Sequence, residues 1–119
     1  MSDRIDLKGI EVLAVHGVYP EERERPQLFR VDVTAHLDLG PAGRSDDLAQ
    51  TLDYGKLASE IAGVVRSESH QLIERVAQSV ADAVLAHEIV DRVTVTVHKP
   101  QAPVEVELAD VSVTIERER

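Results

Sequence analysis

Leu28-Phe29-Arg30-Val31-Asp32-Val33-Thr34-Ala35-His36-Leu37-Asp38-Leu39 alternates apolar and polar side chains almost without a break. Phe29, Val31, Val33, Ala35, Leu37 and Leu39 fall on one face, and Leu28, Arg30, Asp32, Thr34, His36 and Asp38 on the other. A strand sends successive side chains to opposite sides, so residues 28–39 predict a long, half-buried antiparallel strand. The apolar face requires a covering layer, and the polar face meets water or a helix edge.

Upstream, residues 5–15 read as a first strand in two apolar patches. Ile5 and Leu7 alternate with Asp6 and Lys8, and Ile10 precedes the run Val12-Leu13-Ala14-Val15. Gly9 lies between the patches and suggests a bulge or kink. His16-Gly17-Val18-Tyr19-Pro20 ends the pattern, and residues 21–26 form a charged loop. Downstream, Gly40-Pro41-Ala42-Gly43-Arg44-Ser45 reads as a turn-rich connection. Tyr54, Leu57, Ile61 and Val64 then recur three or four apart, as do Ile73, Val76, Ala77, Val80 and Val84. These spacings predict two amphipathic helices, divided near residues 66–70. Two more alternating segments follow, on Val93, Val95 and Val97 and on Val111, Val113 and Ile115. Pro100 and Pro103 forbid regular pairing between them.

The order ββααββ predicts one α+β domain over residues 1–119, a four-stranded antiparallel sheet with two helices on one face. Long open edges are a hazard unless another chain pairs with them, so the edges suggest assembly of several copies.

The 119 residues suit one domain, and 43% of them are apolar, as in a folded globule. With one Phe, two Tyr and no Trp, the core is aliphatic and there is little aromatic surface for stacking bases. A formal charge of −9 argues against nucleic acid and anionic membranes. The absence of cysteine excludes disulfides and thiolate metal sites. No apolar run reaches the length of a membrane span. The polar start Met1-Ser2-Asp3-Arg4 lacks the core of a signal peptide, so a cytoplasmic location is expected.

Five places carry possible chemistry. His16-Gly17-Val18-Tyr19 with Glu22 stands where a strand gives way to a loop, a frequent place for a site and equally for a solvated turn. Tyr54 follows Asp53 at a helix start, and its spacing favours a core position over a functional hydroxyl. Glu74 falls near the start of the second helix, where the helix dipole favours a carboxylate. It is either a first-turn surface acid or a bidentate acceptor for an N–C–N edge. Lys99 ends an apolar strand and is followed by Pro100. Partial desolvation there would lower its pKa and let it move protons near neutrality. Finally, His16, His36, His70, His87 and His98 show no tight ligand spacing, which argues mildly against a metal.

These segments together resemble the dihydroneopterin aldolase family of folate biosynthesis, from about residue 3 to residue 116. Residues 4–10 are similar to its first strand. His16-Gly17-Val18-Tyr19 with Glu22 is similar to its signature loop, and residues 27–33 to its second strand. Ser45-Asp46-Asp47-Leu48 and Thr51-Leu52-Asp53-Tyr54 resemble its inter-strand segment. Leu72-Ile73-Glu74 and His98-Lys99-Pro100 resemble its two remaining motifs. The resemblance implies the tunnelling fold, in which sheets of several subunits join into a barrel. It implies a homo-tetramer or homo-octamer with pterin sites between subunits, and no cofactor or metal. Glu74 would anchor the amino-pyrimidinone edge. Lys99 and Tyr54 would handle protons, Tyr54 arriving from the neighbouring subunit. Glu22, selected over Glu21 by its distance from His16, would contact the hydroxylated side chain. Backbone groups near Val18, Leu52 and Ile73 would hold the ring. The same residues would serve an epimerase or oxygenase acting on the same pterin. A zinc-dependent pyruvoyl-tetrahydropterin synthase and a ring-forming binding protein with a degenerate site are more distant alternatives.

Overall fold

The computed structural model describes residues 3–119; Met1 and Ser2, the first two residues of the polar start, lie outside them. In chain order the regular elements are β1 (Arg4–Ala14), a 3-10 turn (Pro20–Arg23), β2 (Gln27–His36), α1 (Gly40–Ser45) and a second 3-10 turn (Leu48–Gln50). After them come α2 (Tyr54–Ser67), α3 (Ile73–Leu85), β3 (Arg92–His98) and β4 (Ser112–Glu118). The strands form one antiparallel sheet in the order β1-β2-β3-β4. Helices α2 and α3 pack on each other and on one face of the sheet, α2 against β1 and α3 against β3 and β4.

The alternation of β2 decides that face. Phe29, Val31, Val33 and Ala35 are buried beneath the helices, beside Val93, Val95 and Val97 of β3. From the helices come Leu57, Ile61 and Val65, then Val76, Ala77, Val80 and Val84. The expected α2 stripe shifts by one position, because Val65 is buried and Val64 only partly so. The cover thins toward β4, where Val113 and Ile115 are half-buried.

Gly9 forms the expected bulge. The register slips between Leu7 and Ile10, and Gly9 has φ +70°, a left-handed conformation natural to glycine. The slip matters because Ile5 and Leu7 are odd-numbered, whereas Ile10, Val12 and Ala14 are even. A regular strand would turn one set to the outside. With the bulge, both sets join the core.

Two expectations are corrected. Gly40–Ser45 is a short helix rather than a turn-rich connection. Pro41 fits its first turn, where no intrahelical N–H is needed, and Asp46 closes it in the left-handed conformation with φ 58°. Strand β2 ends at His36, ahead of this helix, although Leu37 remains fully buried. Tyr54 is not core: it is 63% exposed. Asp53 caps α2 through the Lys56 N–H at 3.2 Å, which puts Tyr54 at the first helical position, before the first buried turn residue, Leu57. No helix among the described residues is long and apolar enough to cross a membrane.

Candidate active site

The sheet has a hollow at each end. At the end where Ala14 pairs with Gln27, a cavity of about 420 Å³ is lined by Val18, Tyr19, Glu22, Leu72, Ile73, Glu74, Lys99 and Val111, among others. Lys99 directly follows β3, and its N–H donates to the Val111 carbonyl at 2.7 Å. Its Nζ lies 2.6 Å from Glu22 Oε2, with both side chains largely buried. Removing one member of such a pair leaves the other's charge buried without its counter-ion, which is costly.

Glu22 is held from several directions. It sits in the first 3-10 turn and is buried, whereas Glu21 is exposed. Gln27 Nε2 donates to Glu22 Oε2 at 3.2 Å and to the His16 carbonyl at 3.3 Å. Burial pushes the carboxyl up, but hydrogen bonds from Lys99, Gln27 and the Tyr19 N–H outweigh it, leaving Glu22 below its ordinary value and ionised at neutral pH. Gly17 has φ +156° and lies directly under this side chain. A Cβ there would stand 2.4 Å from the Glu22 carboxyl carbon.

His16 ties this loop to the segment before α3. It is 1% exposed. Its Nδ1 accepts the His70 N–H at 3.0 Å and its Nε2 lies 2.7 Å from the Val65 carbonyl. One ring nitrogen accepts and the other donates, which defines the neutral Nε2–H tautomer. Burial drives its pKa below the ordinary imidazole value, against the raising effect of the Val65 bond. The Gly17 N–H also donates to the His70 carbonyl at 2.9 Å. The loop bearing Glu22 and the helix bearing Glu74 are thereby joined. Glu74 is exposed in the first turn of α3, whose N-terminus has no side-chain cap. The positive end of the helix dipole therefore lies at the edge of the cavity, beside a carboxylate.

The other hollow, about 490 Å³, is lined by Ile5, Asp6, Leu7, Leu39, Leu48, Thr51, Leu52 and Tyr54. It lies where Ile5 pairs with Ala35. At roughly 3.3 Å per strand residue, the stretch from Ile5 to Ala14 separates the two hollows by about 30 Å. The structure thus gathers Val18, Glu22, Ile73, Glu74 and Lys99 at one end and leaves Leu52 and Tyr54 at the other. Exposed apolar side chains border both, Val18, Tyr19 and Leu72 at the first and Leu48 and Tyr54 at the second.

A model of the dihydroneopterin aldolase family matches residues 5–116. The chain belongs to the dihydroneopterin aldolase family. It is 47% identical over 117 residues to the dihydroneopterin aldolase of Streptomyces coelicolor, with 98% of each chain covered. It is 37% identical to that of Bacillus subtilis, again with 98% of each covered. Among solved structures, E. coli dihydroneopterin aldolase in complex with neopterin superposes with TM-score 0.89 at 32% identity, covering 97% of this chain and 98% of that one. A Burkholderia dihydroneopterin aldolase bound to guanine gives TM-score 0.79 at 25% identity, covering 98% and 91%. The sheet and helices have the tunnelling fold of these aldolases. A uricase from Bacillus fastidious, 14% identical with TM-score 0.64, shares the fold over 43% of its length.

Within this family frame, three roles escape the reading of motifs alone. Gln27 and His16 shape the loop of Glu22 without reaching the cavity, and Gly17 is required by contact as well as by conformation. Of the other histidines, His70 stacks on His16, His87 bonds Glu60 at 2.7 Å, His36 faces Arg92, and His98 lies between Asp32 and Asp110. Gly17 was visible in the sequence as a glycine beside a candidate histidine. Nothing in spacing pointed to Gln27.

Proposed function

We propose that this chain cleaves 7,8-dihydroneopterin by a retro-aldol step, yielding 6-hydroxymethyl-7,8-dihydropterin and glycolaldehyde for folate biosynthesis in the cytoplasm. The observation that carries this reading is the buried Lys99–Glu22 pair opening onto the same cavity as the first turn of α3. Glu74 accepts two N–H groups from the amino-pyrimidinone edge, and backbone groups of Val18, Ile73 and Leu52 hold the ring. Glu22 contacts the hydroxylated side chain. A base takes the proton of the second side-chain hydroxyl, the bond between the first two side-chain carbons breaks, and its electrons pass into the ring C=N. The remaining carbon is then reprotonated. Lys99 and Tyr54 carry these protons.

Tyr54 enters from a neighbouring subunit. The separation of roughly 30 Å between the hollows along the strand and the exposed apolar rims of both support sites completed between copies, in a homo-tetramer or homo-octamer built through the open edges of β1 and β4. No metal is required, because the substrate ring supplies the electron sink. The purified protein should release glycolaldehyde from 7,8-dihydroneopterin and keep this activity after prolonged chelation. Pterin binding without glycolaldehyde release would overturn the aldolase reading. Activity lost on chelation and restored by zinc would overturn the metal-free one.

A further inference from the structure

On the sheet face opposite the helices, a polar line crosses the whole sheet. His98 closes β3, with Nε2 2.7 Å from Asp32 Oδ2 and Nδ1 2.6 Å from Asp110 Oδ2. Asp32 Oδ1 accepts the N–H of Gly9, the bulge residue of β1, at 2.7 Å. The line joins β1, β2, the end of β3 and the approach to β4. None of its members lines the cavity of Lys99.

An ionised carboxylate only accepts hydrogen bonds, and a neutral imidazole has one N–H. Contact with two carboxylates therefore calls for the doubly protonated ring. Its pKa is raised, first by the hydrogen bond to Asp32 and against burial, with Asp110 adding to the effect. The surrounding charges are Arg30, opposite His98 in the register and paired with Glu11, and Lys8 near Asp32. On β4 the facing residue is Ser112, which carries no charge.

Lys99 is the next residue, on the opposite face. Its N–H bond to Val111 and the His98–Asp110 bond are adjacent ties across the ends of residues 99–111. That segment contributes Lys99, Pro103 and Val111 to the cavity wall. We propose that His98 is a positioning residue: by clasping Asp32 and Asp110 together it closes residues 99–111 and holds Lys99 against Glu22. The idea rests on the reading of Lys99 as the proton carrier. Loss of the second ring proton leaves one ring nitrogen facing a carboxylate without a hydrogen between them, so one clasp opens. The clasp is complete below the ordinary imidazole value of 6.5 and fails as pH rises through the elevated value of the folded protein.

The test uses the intact oligomer, with hydrogen exchange corrected for intrinsic rates, NMR titration of His98, and kcat and KM against pH. In the wild type, protection of residues 99–111 and kcat should fall together as His98 deprotonates. His98→Gln should show the open state at every pH, with kcat about tenfold to a hundredfold lower, as expected of a small misplacement of a reacting group. Its KM should change less than kcat, since Glu74 lies outside the segment. Asp110→Asn places an amide that donates to the neutral ring, so the alkaline loss of protection should disappear. That arm decides the matter if His98→Gln fails to fold. Unchanged protection in His98→Gln, an alkaline loss persisting in Asp110→Asn, or protection lost with kcat unchanged would each overturn the proposal. Full activity of Lys99→Ala would instead sink the proton-carrier reading, and the exchange measurements, made without substrate, would still report on the clasp.

Discussion

At the Gln27 end of the sheet, an ion pair is buried beside a helix N-terminus and fastened by Gln27, His16 and Gly17. At the Ile5 end, the hollow is walled mainly by leucines and isoleucine, with Asp6, Thr51 and one exposed tyrosine beside them. The first region has charge and fixed geometry but an open side. The second has apolar surface, a hydroxyl and one acid, Asp6, that pairs with Arg4 in an exposed ion pair. On the proposed reading, a pterin needs both a polar edge-binder and a dry wall for its ring; the Lys99 end supplies the first and part of the second, and the Tyr54 end extends the wall.

The comparison breaks most sharply at Lys99. Lys99→Ala should slow turnover about a hundredfold to ten-thousandfold, the usual contribution of a placed proton carrier, while most pterin affinity remains. Borohydride added during turnover should leave no adduct on Lys99 by mass spectrometry. A reduced adduct would mean an imine mechanism. Gly17→Ala tests whether the polar end depends on fixed geometry. Its Cβ would meet Glu22 at 2.4 Å, so the carboxylate must leave Lys99. We expect kcat to fall about tenfold to a hundredfold, the scale of a misplacement near 1 Å. An unchanged rate would show that the Glu22 position matters little.

Glu74→Gln tests the binding half of the same end. Losing a charge-assisted bond worth about 1.5–3 kcal/mol should weaken pterin binding about tenfold to a hundredfold or more. Equal affinity by titration would remove Glu74 as the anchor. The smallest effect is on stability. His16 is buried neutral with a lowered pKa, so the unfolded chain binds a proton that the folded one refuses. Stability from this site is full above 6.5 and falls as pH drops from there through the lowered value. Thermal melts should show that acid slope, and His16→Gln should flatten it.

How much of this was legible in sequence differs between the two levels. Period-two alternation in residues 28–39 and period-3.6 spacing in the helices report which face is buried, and burial is what builds the layers. Gly9 was legible as a bulge because parity changes across it. Spacing alone points Tyr54 to the core, against its exposure, because spacing cannot see that Asp53 caps the helix one residue earlier. The motifs brought Glu22, Glu74 and Lys99 into view, yet the sequence held no trace of the ties that orient them. His98 and Asp32 stand 66 residues apart, and His16 and Val65 49 apart. Such bonds depend on register and rotamer, which local pattern does not encode.

The central claim is that the two hollows work only together, across a boundary between copies. Lys99→Ala and Tyr54→Phe should each be slowed about a hundredfold or more alone. After dissociation, mixing and reassembly, hybrid rings should recover activity. In a ring with head-to-tail interfaces, random mixing puts an intact Lys99 beside an intact Tyr54 at about a quarter of the sites, which sets the expected level. No recovery in rings shown by native mass spectrometry to be mixed would contradict the account.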